Sequence, residues 1–176
     1  GLKRLPIGMK KIPKAIALSL MLLSGFGLSS CYAQPGDPGP GTQAGEMARS
    51  DAGLRQVPLQ IHTSNTVHTI VVEVAESRVE QAQGLMFRTA LAPDKGMIFP
   101  FAEDRVASFW MKNTVIPLDI IFIRRDGSIE SIAAETTPYS LTPVRSGEPV
   151  ATVLELAAGR AGELGIVPGD TVTWQR

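Results

Sequence analysis

From Arg55 onward the chain alternates apolar and polar residues in short runs, the two-residue period of half-buried β-strands. VPLQIHT (57–63) sets Val57, Leu59 and Ile61 against Pro58, Gln60 and His62, and its proline marks an edge strand. After the turn SNT comes HTIVVEV (68–74). Ser77 and Glu80 have capping-box spacing, which predicts a short helix closed by Gly84. PDKG (93–96) turns into GMIFPF, and RVASFWM (105–111) reads as a further strand. DIIFI (119–123) is apolar on both faces after its first residue and belongs inside a sheet. Asp126-Gly127 predicts a hairpin into SIESIAA, because this pair tolerates the positive φ of a tight turn. TTPYSLTPVRSGEP (136–149) reads as a long loop, VATVLEL (150–156) as a strand, AAGRAGELG as a helical turn and TVTWQ as the last strand. About seven short strands with one or two short helices predict a mainly β domain over residues 55–176. The expected form is a compact single-domain β-sandwich, jelly-roll-like or barrel-like.

The chain before Arg55 follows a different pattern. Lys3, Arg4, Lys10, Lys11 and Lys14 precede the apolar run AIALSLMLLSGFGLSS, the basic and apolar regions of a secretory signal. The run is short for a membrane span of about 20 residues. Met9 reads as the natural start of this leader, and residues 1–30 form a signal peptide. Its end, LSSC (28–31), resembles the lipobox of bacterial lipoproteins, which makes Cys31 the lipidated residue. Cleavage after Ala33, in the small-x-small pattern CYA, is the competing reading. Cys31 is the chain's one cysteine, so it has no intramolecular disulfide partner. Residues 31–54, rich in Pro and Gly, bury too little apolar surface to offset chain entropy and read as a flexible tether. Such a tether holds a domain about 25 Å from its anchor. The expected location is therefore exported and periplasmic, with a lipid anchor in a membrane at Cys31.

Charge narrows the partners. All 17 acidic residues but only 12 of the 17 basic ones follow Cys31, so that part carries a net −5. It lacks the basic stripe that a phosphate backbone requires, which argues against nucleic acid.

The block GLMFRTALAPDKGMIFPFAEDRVASFWMKNTVIPLDIIFIRRDGSIESI, with VLELAAGRAGELGIVPGD behind it, resembles domain-of-unknown-function family 192. GLMFR, GMIFPF, FWMKNTVIPLD and LELAAG agree in order and spacing, from about Val57 to Trp174. The resemblance implies a mainly β, sandwich-like single domain, in a prokaryotic family often found behind signal peptides. The family has no established biochemical role, so no catalytic residue carries over.

Candidate chemistry falls into three sets. The first is polar: Arg88, Lys112, Asn113, Asp119 and Glu155, with Trp110 or Phe87 as an apolar wall. Asp119 shares a strand face with Ile121 and Ile123, and Glu155 shares one with Val153, so each carboxylate is half buried and needs a partner. Lys112 or Arg88 can supply it for Asp119. The set is either a ligand pocket or a group of paired charges fixing strand ends. The second set is Met86, Met97 and Met111 beside Trp110, soft ligands for Cu(I) with His62 or His68 in support, or else core methionines. The third is the pair Asp119 and Glu155 as acid and base of a hydrolase, which requires a separation of about 5–9.5 Å. Both histidines otherwise read as solvent-exposed. No Ser elbow or Cys nucleophile lies in the domain, and no cofactor is called for. The expected function is a non-enzymatic binding module for a small molecule, glycan or cell-envelope component. A Cu(I) carrier and a carboxylate hydrolase are its alternatives, and oligomeric state is not legible.

Overall fold

The computed structural model of the chain describes residues 48–176. The leader, Cys31 and the tether as far as residue 47 lie outside the described residues. Residues 48–54, expected as tether, form a hydrogen-bonded turn against the first strand, with Gln56 N donating to the Ala48 carbonyl at 2.7 Å. The elements run β1 (Gln56–His62), β2 (Val67–Val74), α1 (Arg78–Gln83), β3 (Lys95–Phe109), β4 (Leu118–Ile123), β5 (Ile129–Thr136), β6 (Val144–Ala157), α2 (Arg160–Glu163) and β7 (Thr171–Trp174). The strands make one seven-stranded sheet in the order β5-β4-β6-β3-β2-β1-β7.

The domain is mainly β with two short helices, as expected. Its strands form one curled sheet rather than two stacked ones, a half-barrel whose edges meet at one end. There Ile129 N donates to Asp170 O (2.8 Å), Gly169 N to Ile129 O (2.9 Å) and Val172 N to Gly127 O (2.8 Å). Gly127 makes this junction possible, because its φ is +91° and a Cβ there would sit 2.7 Å from the Val172 carbonyl.

Curling divides the core in two. Residues of all seven strands and of the α2 segment, from Leu59 and Val72 to Ile121, Leu154, Ala161 and Val172, fill the concave side. Met97, Phe99, Met111, Ile120, Phe122 and Val153 form a second cluster on the outer face. Hence β4 is buried at every position, as its unbroken apolar run predicts.

Two strands are longer than their patterns indicate. GMIFPF and RVASF form the single 15-residue β3, bent by register shifts between Pro100 and Arg105 and between Val106 and Ser108. The expected loop 136–149 shortens because Val144 and Arg145 pair with Phe109 and Ser108. This arm of β3 and β6 is largely exposed, so apolar alternation does not mark it.

Strands β2 and β3 are parallel, while the other neighbours are antiparallel. A parallel pair needs a crossover. Here the crossover is α1 and residues 84–94, which carry GLMFR onto the outer face, where Leu85 joins the second cluster. The capping box predicted at Ser77 and Glu80 starts α1, and Gly84 ends it at φ +47°.

Candidate functional site

Register places four side chains in one row across the outer face. Glu73 on β2 lies beside Met97 on β3, Met97 opposite Glu155 on β6, and Glu155 opposite Ile120 on β4. Two acids therefore share a largely apolar surface. Arg88, delivered by the crossover, forks onto Glu73, its Nη1 lying 3.0 Å from Oε1 and its Nη2 closer still to Oε2. Fork geometry of this kind is the strong form of the pair. Glu155 receives no such partner. Among the described residues its Oε2 is buried without a hydrogen bond. Burial pushes its carboxyl up to about 8, so at neutral pH it is an acid able to donate.

Glu155 is 6% exposed. It forms part of the wall of a cleft of about 450 Å³ that opens between α1 and the outer half of β3. Arg78 and Gln81 line it from α1, and Met86 from the crossover. Arg105, Ser108, Phe109 and Trp110 line it from β3 and the residue beyond. Gln81 Nε2 donates to the Ala75 carbonyl (3.1 Å) and the Pro100 carbonyl (2.9 Å), fixing α1 over the sheet. Phe99 and Phe109 meet edge to face with centroids 5.1 Å apart. Trp110 is 49% exposed, while Phe109 and Met111 on either side pack into the outer cluster.

Asn113 braces the rim. Its carbonyl accepts from Phe87 N at 2.8 Å, and its Nδ2 lies 3.8 Å from Met86 Sδ. Both Phe87 (φ 64°) and Asn113 (φ 57°) are left-handed, a conformation that costs about 1 kcal/mol or more per non-glycine residue and persists where surroundings over-determine it.

The six polar and aromatic candidates do not form one pocket. Trp110 and Glu155 line the cleft together. Asn113 shapes its rim, and the Lys112 ammonium lies 5.1 Å over the Trp110 ring. Arg88 borders a separate depression of about 340 Å³ with Glu73. Asp119 lies on the opposite face, paired with Leu156 and fully buried. Its Oδ1 accepts from the amides of Glu135 (2.8 Å) and Gly159 (3.1 Å), and its Oδ2 from Ala161 (2.8 Å). Neither Lys112 nor Arg88 is its partner. The carboxylate instead ties the first turn of α2 to the end of β5.

This geometry corrects both chemical alternatives. Asp119 and Glu155 point to opposite sides of the sheet, so they cannot flank one bond as a hydrolase pair. Of the three methionines, Met97 and Met111 are buried in the core and Met111 Sδ accepts from the Thr136 hydroxyl at 3.2 Å. Only Met86 among them lines the cleft, so the copper set does not assemble beside Trp110. His62 Nε2 lies 3.2 Å from Thr173 Oγ1. His68 departs from the exposed reading, since among the described residues its Nε2 is buried without a hydrogen bond. Among the described residues no group of three His, Cys, Asp or Glu side chains is placed to hold a metal.

Comparison with known proteins bears on the same core. The model of domain-of-unknown-function family 192 (DUF192), described as an uncharacterized ACR, matches residues 59–174. The chain belongs to that family. No curated protein matches it. It is similar to a crystal structure from Novosphingobium aromaticivorans of a protein of unknown function, at 45% identity and a TM-score of 0.72. That match covers 74% of this chain and 94% of the other. A second crystal structure, from Sinorhizobium meliloti, belongs to a protein described as a candidate transcription regulator. It shows 42% identity and a TM-score of 0.67, over 69% of this chain and 95% of the other. The block from GLMFR to LELAAG thus builds the outer face of a DUF192 domain and the Glu155 cleft on it.

Sequence reasoning missed Glu73, Arg78, Gln81 and Arg105. For Glu73 a signal existed: an acid inside HTIVVEV, among valines, is one that needs a buried partner. The other three have none, because α1 meets the outer half of β3 only through the crossover.

Proposed function

We propose that the chain is an exported, non-enzymatic binding module that takes a small molecule, glycan or cell-envelope component into the cleft over Glu155. The observation that carries the reading is that Glu155, in the wall of an open cleft with aromatic and arginine sides, has its Oε2 buried without a hydrogen bond among the described residues. A buried polar group without a partner costs about 1–3 kcal/mol. A ligand atom that completes its hydrogen bonding removes that cost, and Trp110 offers a flat apolar wall beside it. The regulator description of the Sinorhizobium protein finds no support in this chain's charge, which is −5 after Cys31.

Thermal-shift screening of the full chain against envelope sugars and small molecules tests the reading, because a specific binder raises apparent stability. The expected result is a compound that stabilises the wild type and not the Trp110→Ala variant. A compound that stabilises both equally places binding elsewhere and overturns it. Export rests on the leader and lipobox-like end. Mass spectrometry of the mature N-terminus is expected to find diacylglyceryl Cys31, and a free Gln34 rules the anchor out.

A further inference from the structure

Resting on that reading, we infer that the occupant of the cleft is a small flat-faced carboxylate, an aromatic or sugar acid. Its anionic group meets Arg78 and Arg105, on the cleft whose wall includes Glu155. The charge of the cleft selects the class. The ionisable groups lining it are Arg78, Arg105 and Glu155, and Glu155 is in its neutral form at pH 7. Two positive charges thus face a cavity with no negative one.

Three acids of α1, its approach and β3 have partners of their own. Glu80 on α1 accepts from the amides of Glu76 and Ser77, Glu76 pairs with Arg55, and Asp104 pairs with Arg125. Glu103 lines an adjoining depression that shares Arg78 and Arg105 with the cleft. On β2, Glu73 is held by Arg88, while β4 presents Ile120 toward Glu155 and turns Asp119 to the other face. The Arg105 guanidinium stacks 3.8 Å from the Phe101 ring centroid, which fixes its plane and leaves its edge for a two-point contact with a carboxylate.

Glu155 sets the second requirement. An ionised carboxyl in the wall repels an anion, whereas a neutral one does not. Binding of a carboxylate therefore favours the protonated form, and affinity falls when the solution is basic enough to ionise the group. Trp110 sets the third: its half-exposed ring beside Phe109 takes the flat face of an aromatic or pyranose ring.

Isothermal titration of the full chain with benzoate, glucuronate and their uncharged counterparts benzamide and glucose tests this. At pH 6.5 at least one carboxylate is expected to bind tenfold or more tightly than its neutral counterpart. The larger response of the two identifies the ring class. Replacing both Arg78 and Arg105 with Gln lowers that affinity tenfold or more. Both side chains are exposed, and an unchanged melting temperature confirms the fold. Glu155→Gln ionises at no pH, so it abolishes the weakening expected between pH 6.5 and 9.5. Neutral counterparts that bind equally well, or indifference to the arginine pair, overturn the anion assignment and leave the binding cleft standing. No binding by any of the four probes counts against the assignment and the cleft together.

Discussion

Removing the ionisable group at position 155 makes the strongest prediction. Glu155 is buried, and its carboxyl is raised from an ordinary 4.5 to about 8 by burial. Between those values the folded chain holds a proton that the unfolded chain has released. Unfolding therefore becomes easier as pH rises from about 4.5, and the effect levels off above about 8. Each pH unit in that window corresponds to about 1.4 kcal/mol. The cumulative loss is about 3 kcal/mol at pH 7 and about 5 kcal/mol beyond pH 8, as upper figures if water enters the cleft. Glu155→Gln is neutral at every pH and close in shape, so it removes the dependence. The measurement is urea unfolding of both proteins at pH 5, 6, 7, 8 and 9, followed by tryptophan fluorescence. Taking the difference between them cancels the titration of other groups. The variant is expected to gain on the wild type with a slope near 1.4 kcal/mol per unit from about pH 5, flattening above about 8. A difference that stays constant across this range refutes the claim that the cleft holds Glu155 neutral.

Three further outcomes follow from the same geometry. Asp119→Ala strands three amides that now share one buried carboxylate, and the expected loss is about 3–5 kcal/mol in urea unfolding, with faster hydrogen exchange at Gly159 and Ala161. Arg88→Met leaves the Glu73 carboxylate buried and unpaired, at an expected cost of about 3 kcal/mol; adding Glu73→Leu restores most of it, as a double-mutant cycle will show. Gly127→Ala imposes both a positive φ and a clash with the Val172 carbonyl, so chemical denaturation is expected to record a loss above about 1 kcal/mol and weakened exchange protection at Ile129 and Val172.

The stretch Phe109–Asp119 separates what the chain carries locally from what folding adds. Alternation alone requires that Trp110 and its neighbours face opposite ways, and the outer cluster decides that Phe109 and Met111 point inward. Local chemistry also sufficed for the capping box at Ser77, the turn at Gly127 and the buried strand at Ile120–Ile123. Each depends on residues a few positions apart or on a side-chain period of two. The sequence likewise marked Asp119 and Glu155 as inward-facing acids, because each sits in an apolar run.

Their fates were decided by register and connectivity. In the pairing of β4 with β6, Asp119 stands opposite Leu156 and Ile120 opposite Glu155, so neighbouring rows send the two acids to opposite faces. The turn before α2 then brings amides to one, while the parallel crossover sends Arg88 to Glu73 and leaves the other unpaired. Strand periodicity tells which side chains share a face, but a partner in space comes from how strands distant in sequence align. By itself the sequence determined the family, the mainly β class and the acids that had to be buried. Only the tertiary structure decided that Asp119 is a structural tie and that Glu155 is buried in the cleft wall without an ion-pair partner among the described residues, since desolvation and hydrogen bonding depend on what surrounds a side chain rather than on its neighbours along the chain.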